Sequence, residues 1–285
     1  MADVVKAPIV GCGAYHQHMD LSGKHVVVTG GGNGIGRALA QRFHRAGARI
    51  AVADLDGNAA TIVAHDLNQI RPGDAIAIRA DVGSEQGNVD LIRESESAFG
   101  AIDLFFANAG VGLGNDLETP EQQWEASFNV NVHAHRWALK HLLPAWLDRG
   151  EGYFCSTASA AGLLSQIGSL PYSMTKHAAV SFAEWISLTY GDRGIRVSCL
   201  CPQGVNTNMI NSTDALASVS TSVVRAAGAV LEPAEVAEVA FQVIGAEKFL
   251  IAPHPDVLIF WGRKVADYDR WLAGMRKLQA RIAGV

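Results

Sequence analysis

Cysteine and net charge are both scarce in this chain, and each shortage excludes a class of protein. Its 285 residues include four cysteines, too few for a disulfide framework at this length, and no second Cys or His pair stands at zinc-binding spacing from them. The chain has 23 Lys and Arg against 28 Asp and Glu, and a net charge of -5 provides no basic surface for nucleic acid or an anionic membrane. We therefore expect no metal site, no nucleic-acid partner and no membrane partner.

Long apolar runs and targeting signals are missing as well. The apolar stretches are too short to span a bilayer, and residues 1–20 lack the basic start, apolar core and cleavage site of a secretion signal. We expect a cytoplasmic protein in which residues 1–20 form an N-terminal extension. Because 49% of the residues are hydrophobic, residues 21–285 can build one well-packed domain.

What the sequence does contain is a regular alternation of short apolar runs with longer amphipathic segments, which is typical of βαβ units. The predicted strands lie near 25–29, 49–54, 75–80, 102–107, 152–157, 195–200 and 248–252. The predicted helices between them are 34–46, 57–70, 84–99, 120–148, 171–191 and 233–245. With right-handed crossovers, these elements predict an α/β fold with a Rossmann-like, doubly wound, seven-stranded parallel sheet.

Two segments fall outside this alternation. Residues 208–231 form a long connection rich in Ser, Ala, Thr and Val, which is typical of a substrate lid at the edge of a sheet. Residues 262–283 carry apolar side chains at three- and four-residue spacing and predict one amphipathic C-terminal helix. The apolar face of that helix requires a partner surface, either on this domain or on another subunit.

A glycine-rich turn joins the first predicted strand to the first predicted helix. Glycine lets the backbone approach a pyrophosphate, and a helix N-terminus offers unpaired N–H groups and a positive dipole. The candidate cofactor-binding residues in this turn are Gly30, Asn33, Gly34, Ile35 and Gly36. A purely structural turn is the alternative, but the position between strand and helix favours dinucleotide binding.

Asp54 ends the second predicted strand and is followed by Leu55. A carboxylate at this place accepts hydrogen bonds from the adenosine ribose and repels a 2′-phosphate, so we expect NAD as the cofactor. Asn33 favours the same choice, since the turn lacks an Arg or Lys there that would pair with an extra phosphate. The alternative is that Asp54 caps the next helix.

Polar turns follow the third and fourth predicted strands. Asp81 and Val82 are candidates for contact with adenine, and Asn108, Ala109 and Gly110 are candidates for shaping the sheet end that admits the cofactor. Any one of these motifs would be an ordinary turn in most proteins. Their order along the chain is what favours a cofactor site.

Tyr172 and Lys176 stand four residues apart, which on a helix places phenol and ammonium on one face. A phenol is a poor base at neutral pH, and a fixed cation nearby makes the phenolate accessible by lowering its pKa. An ordinary solvated surface pair has the same spacing, so the pair alone decides little.

Together these motifs resemble those of the short-chain dehydrogenase/reductase family, in its shorter, single-domain, NAD-preferring branch. The likeness covers about residues 20–252. It rests on the turn from Thr29 to Gly36, Asp81, Asn108 to Gly110, Asn131, Ser159, Tyr172, Lys176 and the loop from Pro202 to Thr207. The resemblance implies a nicotinamide-dependent oxidoreductase with the catalytic tetrad Asn131, Ser159, Tyr172 and Lys176.

The roles in this tetrad follow from the chemistry and from the resemblance. Oxidation of an alcohol requires a base, for which Tyr172 is the candidate, with Lys176 and the oxidised nicotinamide lowering its pKa. Ser159 is expected to hydrogen-bond the substrate oxygen. The resemblance alone implies that the carbonyl of Asn131 binds a water of a proton relay. Outside this context Ser159 would be a plain strand-end serine, and Asn129 competes with Asn131.

The resemblance also places the loop after the sixth strand at the nicotinamide, where Pro202, Val205 and Thr207 are expected to contact the cofactor. Gln203 stands where the family usually has glycine, and it becomes a candidate substrate contact. The family's common Asp-Gly-Gly ending is missing too. We expect a homodimer through helices 120–148 and 171–191, with the homotetramer of many relatives as the alternative.

The predicted function is an NAD(H)-dependent oxidoreductase that interconverts a secondary alcohol and its ketone. Apolar residues of the predicted lid, together with two after the fifth strand, suggest a lipophilic substrate, although apolar residues there also suit a core. They are Met209, Ile210, Leu216, Val219, Leu163 and Leu164. The alternatives are an NADPH-dependent carbonyl reductase and a non-catalytic dinucleotide-sensing protein. A protein of the latter kind has usually lost Tyr172 or Lys176, and both are present.

Overall fold

The computed structural model describes residues 19–211 and 228–283, and one sheet organises them. Its strands are β1 His25–Thr29, β2 Arg49–Asp54, β3 Ala75–Arg79, β4 Leu104–Ala107, β5 Gly152–Thr157, β6 Ile195–Leu200 and β7 Leu250–Ile251. Every pairing is parallel, in the order β3-β2-β1-β4-β5-β6-β7. The predicted Rossmann-like, doubly wound, seven-stranded sheet is confirmed, with β3, β4 and β7 shorter than predicted.

The helices of the described ranges lie between the strands and after the last one. They are α1 Gly34–Arg45, α2 Gly57–Ile70, α3 Glu85–Phe99, α4 Glu121–Phe128, α5 Ala134–Arg149, α6 Leu170–Tyr190, α7 Asn208–Asn211, α8 Pro233–Gly245, α9 Pro255–Ala266 and α10 Tyr268–Ala283. Most of the predicted N-terminal extension and residues 212–227 of the predicted lid lie outside the described residues. None of the helices described is long and apolar enough to cross a membrane.

The core consists of two apolar layers, one on each face of the sheet. Alternate residues of a strand point to opposite faces, so Phe105 joins one layer and Phe106 the other. Phe105 stacks on Phe154 of β5 with ring centroids 6.2 Å apart, and Phe106 packs against Phe43 of α1. Because both faces are covered, the central strands are apolar throughout rather than alternating, as buried parallel strands are.

The strand order reverses at β1, which lies between β2 and β4. In open α/β sheets, ligands bind beyond the carboxyl ends of the strands at such a reversal. The residues that follow β1 and β4 are the glycine-rich turn and the segment from Asn108 to Gly110. The topology therefore brings two of the predicted cofactor motifs to one crevice.

The helix predicted at 120–148 is interrupted. Between α4 and α5 the chain forms a π-helical turn, Asn129–His133, in which the N–H of Ala134 bonds to the carbonyl of Asn129, five residues back. Such single turns widen a helix locally and commonly mark functional sites. Periodicity alone does not distinguish this turn from a continuous helix.

The prediction of one C-terminal helix at 262–283 is wrong, since the segment contains parts of two helices. Asp267 has an extended backbone, ends α9, and accepts the N–H of Arg270 in the first turn of α10. A carboxylate that caps a helix start in this way also sets a helix boundary. Tyr268 and Leu272 of α10 remain exposed, so the apolar face of this helix is only partly covered by the described residues.

Candidate active site

The glycine-rich turn is closely packed where a phosphate-binding turn has to be. Gly30 and Gly34 have positive φ angles of +61° and +51°, which side chains with a Cβ rarely adopt. A Cβ at Gly36 would collide with the carbonyl oxygen of Gly30, and one at Gly32 would lie 2.7 Å from the Cβ of Ala59. Each of these four positions therefore requires glycine.

The start of α1 is free to receive an anion. Asn33 is the exposed N-cap residue, and its side chain makes no capping hydrogen bond. The first N–H groups of a helix lack intrahelical partners, and with the helix dipole they attract phosphate. Gly34, Ile35 and Gly36 supply these groups here, beside the crevice.

The carboxylate of Asp54 faces the same turn. Its Oδ2 accepts the N–H of Gly32 over 2.9 Å, and its Oδ1 accepts the N–H of Asp56 over 3.0 Å. The N-cap of α2 is Asp56, which accepts the N–H groups of Asn58 and Ala59. The alternative in which Asp54 caps the next helix is therefore wrong, and its carboxylate remains at the cofactor crevice, next to the exposed Leu55.

Thr29 links the end of β1 to the end of β4, at the point where the strand order reverses. Its Oγ1 accepts the backbone N–H groups of Asn108 and Ala109 over 2.9 and 3.0 Å, and its carbonyl accepts the side-chain amide of Asn108 over 3.0 Å. A Cβ at the next residue, Gly110, would lie 3.3 Å from the amine of Lys176. The segment from Asn108 to Gly110 thus links the glycine-rich turn with the Tyr172–Lys176 helix.

Asp81 and Val82 occupy the turn after β3. The Oδ1 of Asp81 accepts the N–H of Gly83 over 2.9 Å, an Asx-turn contact, while Val82 is buried in the core. Asp81 is exposed at the carboxyl edge of the sheet. The local-turn interpretation accounts for its observed bonds, and a contact with adenine stays a prediction.

Lys176 is buried in α6, with 2% of its surface exposed, and its amine donates to the carbonyl oxygen of Thr157 over 2.9 Å. The nitrogen lies 5.6 Å from the ring centroid of Tyr172. Burial disfavours the charged amine and lowers the pKa of Lys176 to about 8. The amine and phenol predicted from their spacing do share one face of the helix.

Ser159 lies beside Tyr172, and its Oγ donates to the carbonyl oxygen of Pro202 over 3.4 Å. The Oγ of Ser159 also accepts the N–H of Ala161 over 3.1 Å at the start of the 3-10 turn Ala160–Gly162, which fixes its position after β5. Burial raises the pKa of Tyr172, and the neighbouring hydroxyl of Ser159 opposes that rise. Contrary to our expectation of a lowered pKa, burial is the largest effect on the phenol, and the pKa of Tyr172 is raised.

Asn131 is fully buried inside the π-helical turn. Its side chain accepts the N–H of Val111 and donates to the carbonyl of Val111, both over 2.9 Å, and also donates to Thr175 of α6 over 3.1 Å. The competing Asn129 lies instead on an outer groove of about 340 Å³, beside Trp124 and His133. The structure thus brings Asn131, and not its rival, into contact with α6, the helix that carries Tyr172 and Lys176.

The loop after β6 closes the crevice. A Cβ at Gly34 would lie 3.0 Å from the methyl group of Thr207, so this loop adjoins the glycine-rich turn. Pro202 and Val205 are buried, and Val205 packs within the apolar core, so their predicted contacts with a cofactor stay predictions. The backbone N–H of Gln203 donates to Nδ1 of His254 over 3.1 Å.

Several residues that shape the site had no signal in the sequence. Thr157 holds Lys176, Thr175 holds Asn131, and His254 holds the loop after β6. A threonine at a strand end or a histidine after the last strand resembles any other polar residue. Only their partners, far along the chain, distinguish them.

The parallel sheet and the glycine-rich turn after β1 define a Rossmann-type nucleotide-binding protein. The sequence model of the short chain dehydrogenase family matches residues 24–216, and the chain belongs to that family. It is 36% identical over 194 residues, 67% of this chain and 76% of the relative, to a 2,5-dichloro-2,5-cyclohexadiene-1,4-diol dehydrogenase of Sphingobium indicum. It is 32% identical over 85% of its length, and 86% of the relative, to a 1-deoxy-11-beta-hydroxypentalenate dehydrogenase of Streptomyces exfoliatus.

A solved structure gives the same result for the fold. A short chain dehydrogenase/reductase of Burkholderia phymatum, crystallised with NAD, superposes with a TM-score of 0.81 at 29% identity. The match covers 88% of this chain and 96% of that protein. The predicted membership of the short-chain dehydrogenase/reductase family is confirmed.

Proposed function

We propose that this protein is an NAD(H)-dependent oxidoreductase that interconverts a secondary alcohol and its ketone, with Tyr172 as the general acid and base. The observation that carries the proposal is the meeting of three buried groups: the Ser159 hydroxyl beside the phenol of Tyr172, and the amine of Lys176 at 5.6 Å from the ring of Tyr172. This group lies next to Gly110, at the crevice where β1 and β4 end. It is therefore within reach of a dinucleotide held by the glycine-rich turn.

The residues of the crevice fit such a cofactor. The turn has no room for a Cβ at Gly32 or Gly36, the start of α1 has free N–H groups, and Asp54 presents a carboxylate where the ribose would lie. We assign the pyrophosphate to the turn, the adenosine ribose to Asp54, and the nicotinamide end to Gly110, Lys176 and Thr207. When bound, the nicotinamide supplies the hydride chemistry.

The protein side chains then handle the proton. In oxidation the phenolate of Tyr172 accepts the hydroxyl proton of the substrate, and in reduction the phenol returns it. Ser159 holds the same oxygen and stabilises its developing charge. Lys176, protonated below about pH 8, offers positive charge to the phenolate. The carbonyl of Asn131 remains our proposed water site for passing the proton to solvent.

Asp54 favours NAD over NADP. A carboxylate repels a 2′-phosphate, and no ion pair occupies Asp54 among the described residues. The NADPH-dependent alternative has one feature in its favour: Arg79, the register partner of Asp54 on β3. Initial rates with NAD and NADP at equal concentration decide between them, and a higher kcat/KM with NADP would reject our choice.

We propose a lipophilic, ring-bearing alcohol as substrate. Leu163 and Leu164 follow Ser159 after the 3-10 turn Ala160–Gly162, and Met209 lies near Gly112 across the crevice. The two relatives compared above are named as dehydrogenases of a cyclohexadienediol and of a hydroxypentalenate. Gln203 stays our proposed polar contact at the mouth of the pocket.

The test is a panel of cyclic and open-chain secondary alcohols with NAD, followed by absorbance of the reduced nicotinamide. Tyr172→Phe should lower kcat by roughly 10²- to 10⁴-fold, the usual contribution of a general acid or base, while NADH binding persists. Tyr190→Phe, at the other end of the same helix, is the matched control and should leave kcat unchanged. NADH binding without turnover of any panel member would favour the dinucleotide-sensing alternative.

A further inference from the structure

Lys264, near the end of α9, has a buried amine with two backbone partners. It is 6% exposed, and its Nζ donates to the carbonyl oxygens of Leu163 and Leu164 over 2.9 and 2.7 Å. Within the described ranges, no carboxylate forms an ion pair with it. The rings of Tyr268 and Trp271 lie 5.6 and 5.1 Å away, at cation–π distance.

Burying an ammonium without an anion is costly, so the contacts that hold it there are informative. Both carbonyls belong to residues about a hundred positions earlier in the chain. A lysine that served only to pack α9 would extend toward solvent, as lysines usually do. This one instead forms two charge-assisted hydrogen bonds to a single loop.

The loop of Leu163 and Leu164 lies between Ser159 and α6, the helix that carries Tyr172 and Lys176. Leu163 and Leu164 continue the 3-10 turn that begins at Ser159, and their N–H groups both bond to the carbonyl of Ala160. On the other side, a Cβ at Gly162 would collide with the carbonyl of Lys176 in α6. The position of the Leu163–Leu164 peptides therefore affects the turn that holds Ser159. It also affects the wall of the proposed substrate pocket.

The other end of α9 is anchored at the same site. His254, just before Pro255, is buried; its Nδ1 accepts the N–H of Gln203 and its Nε2 donates to the carbonyl of Gly204 over 3.0 Å. This pattern requires the neutral imidazole with its proton on Nε2. One helix thus holds the loop after β5 at its end and the loop after β6 at its start.

We propose that α9 braces the mouth of the substrate pocket and that Lys264 is the positioning residue for the Leu163–Leu164 loop. The inference rests on the proposed function for its substrate and adds a residue outside the tetrad that governs substrate fit. Loss of the amine frees two carbonyls and lets the loop move. The glycine-rich turn and Asp54 lie on the other side of the crevice, so cofactor binding stays unchanged.

The test compares Lys264→Met, which keeps length but removes the donors, with Lys264→Arg, which restores them. For a ring-bearing alcohol, Lys264→Met should raise KM about tenfold or more with kcat within threefold, and NADH affinity should stay within twofold. Lys264→Arg should recover most of the KM. Lys277→Met, on the exposed face of α10, is the matched control and should change nothing. An unchanged KM in Lys264→Met overturns the proposal.

A second measurement does not depend on turnover. With NADH present, backbone hydrogen exchange across residues 160–168 should be faster in Lys264→Met than in the wild type, with residues 25–54 unchanged. Equal exchange rates at residues 160–168 in Lys264→Met and the wild type would overturn the proposed role of Lys264, even if the enzyme is active. If the wild type oxidises no alcohol, the proposed function fails, and the exchange result still decides the brace. Should Lys264→Met fold poorly, Lys264→Leu, which also lacks a donor, takes its place in both measurements.

Discussion

The amine of Lys176 donates to the carbonyl oxygen of Thr157 over 2.9 Å, while its distance to the ring centroid of Tyr172 is 5.6 Å. The sheet, through the last residue of β5, thus sets the position of this amine relative to the phenol. Because the same contact keeps the amine buried, its pKa falls to about 8, close to physiological pH. The charge of this site is therefore sensitive to modest changes in pH.

Binding of NADH should weaken as the pH rises through about 8. A lysine with a lowered pKa is protonated below that value and loses its charge above it, and the dinucleotide is anionic. Kd should rise by up to tenfold per pH unit above the pKa of the free enzyme. Fluorescence titrations on both sides of pH 8 measure this effect. Lys176→Met should bind more weakly with a flat profile, and a flat profile in the wild type would contradict the prediction.

Asp54→Asn should shift the cofactor preference toward NADP. The substitution removes the charge that repels a 2′-phosphate and weakens the acceptor for the ribose, a charged hydrogen bond worth about 1.5–3 kcal/mol. The ratio of kcat/KM for NAD to that for NADP should fall by roughly 10- to 100-fold. Asp56→Asn is the matched control, because Asp56 caps α2 and does not contact the glycine-rich turn through its side chain. An equal shift in that control would show that local stability, not charge, is responsible.

Leu188→Asp should turn a homodimer into a monomer. Leu188 and Trp185 on α6 are 86% and 56% exposed, an unusual surface for two large apolar side chains on one helix. A dimer through α5 and α6 would bury them, and a carboxylate there would be left without a partner. Light scattering after gel filtration gives the mass. Ile70→Asp, at the end of α2, should leave the mass unchanged, and a dimer that persists in Leu188→Asp would place the interface elsewhere.

The elements that were predicted well have local causes. Seven apolar runs became seven strands because a strand buried on both faces must be apolar along its length. The glycine-rich turn was identifiable because the backbone angles at Gly30 and Gly34 exclude most other residues. Tyr172 and Lys176 share a face because helical spacing alone ensures it.

The predictions failed where distant residues or a single capping group set the local structure. The π-helical turn around Asn131 is held by Val111 and Thr175, and Asp267 splits the C-terminal segment through one hydrogen bond to Arg270. Hydrophobic periodicity is the same with or without these features. The direction of the pKa shift of Tyr172 was also missed, since it depends on burial that only the packed loops create.

The sequence by itself determined the sheet and the order of the motifs that follow its strands. It also determined which side chains have the chemistry for proton transfer. Tertiary structure decided how these side chains are held: Lys176 by Thr157, Gln203 by His254, and Leu163 by Lys264. Local geometry repeats every few residues and leaves a pattern in the chain. Contacts across about 20 to 100 residues leave none, because they exist only once the sheet has brought the ends of its strands together.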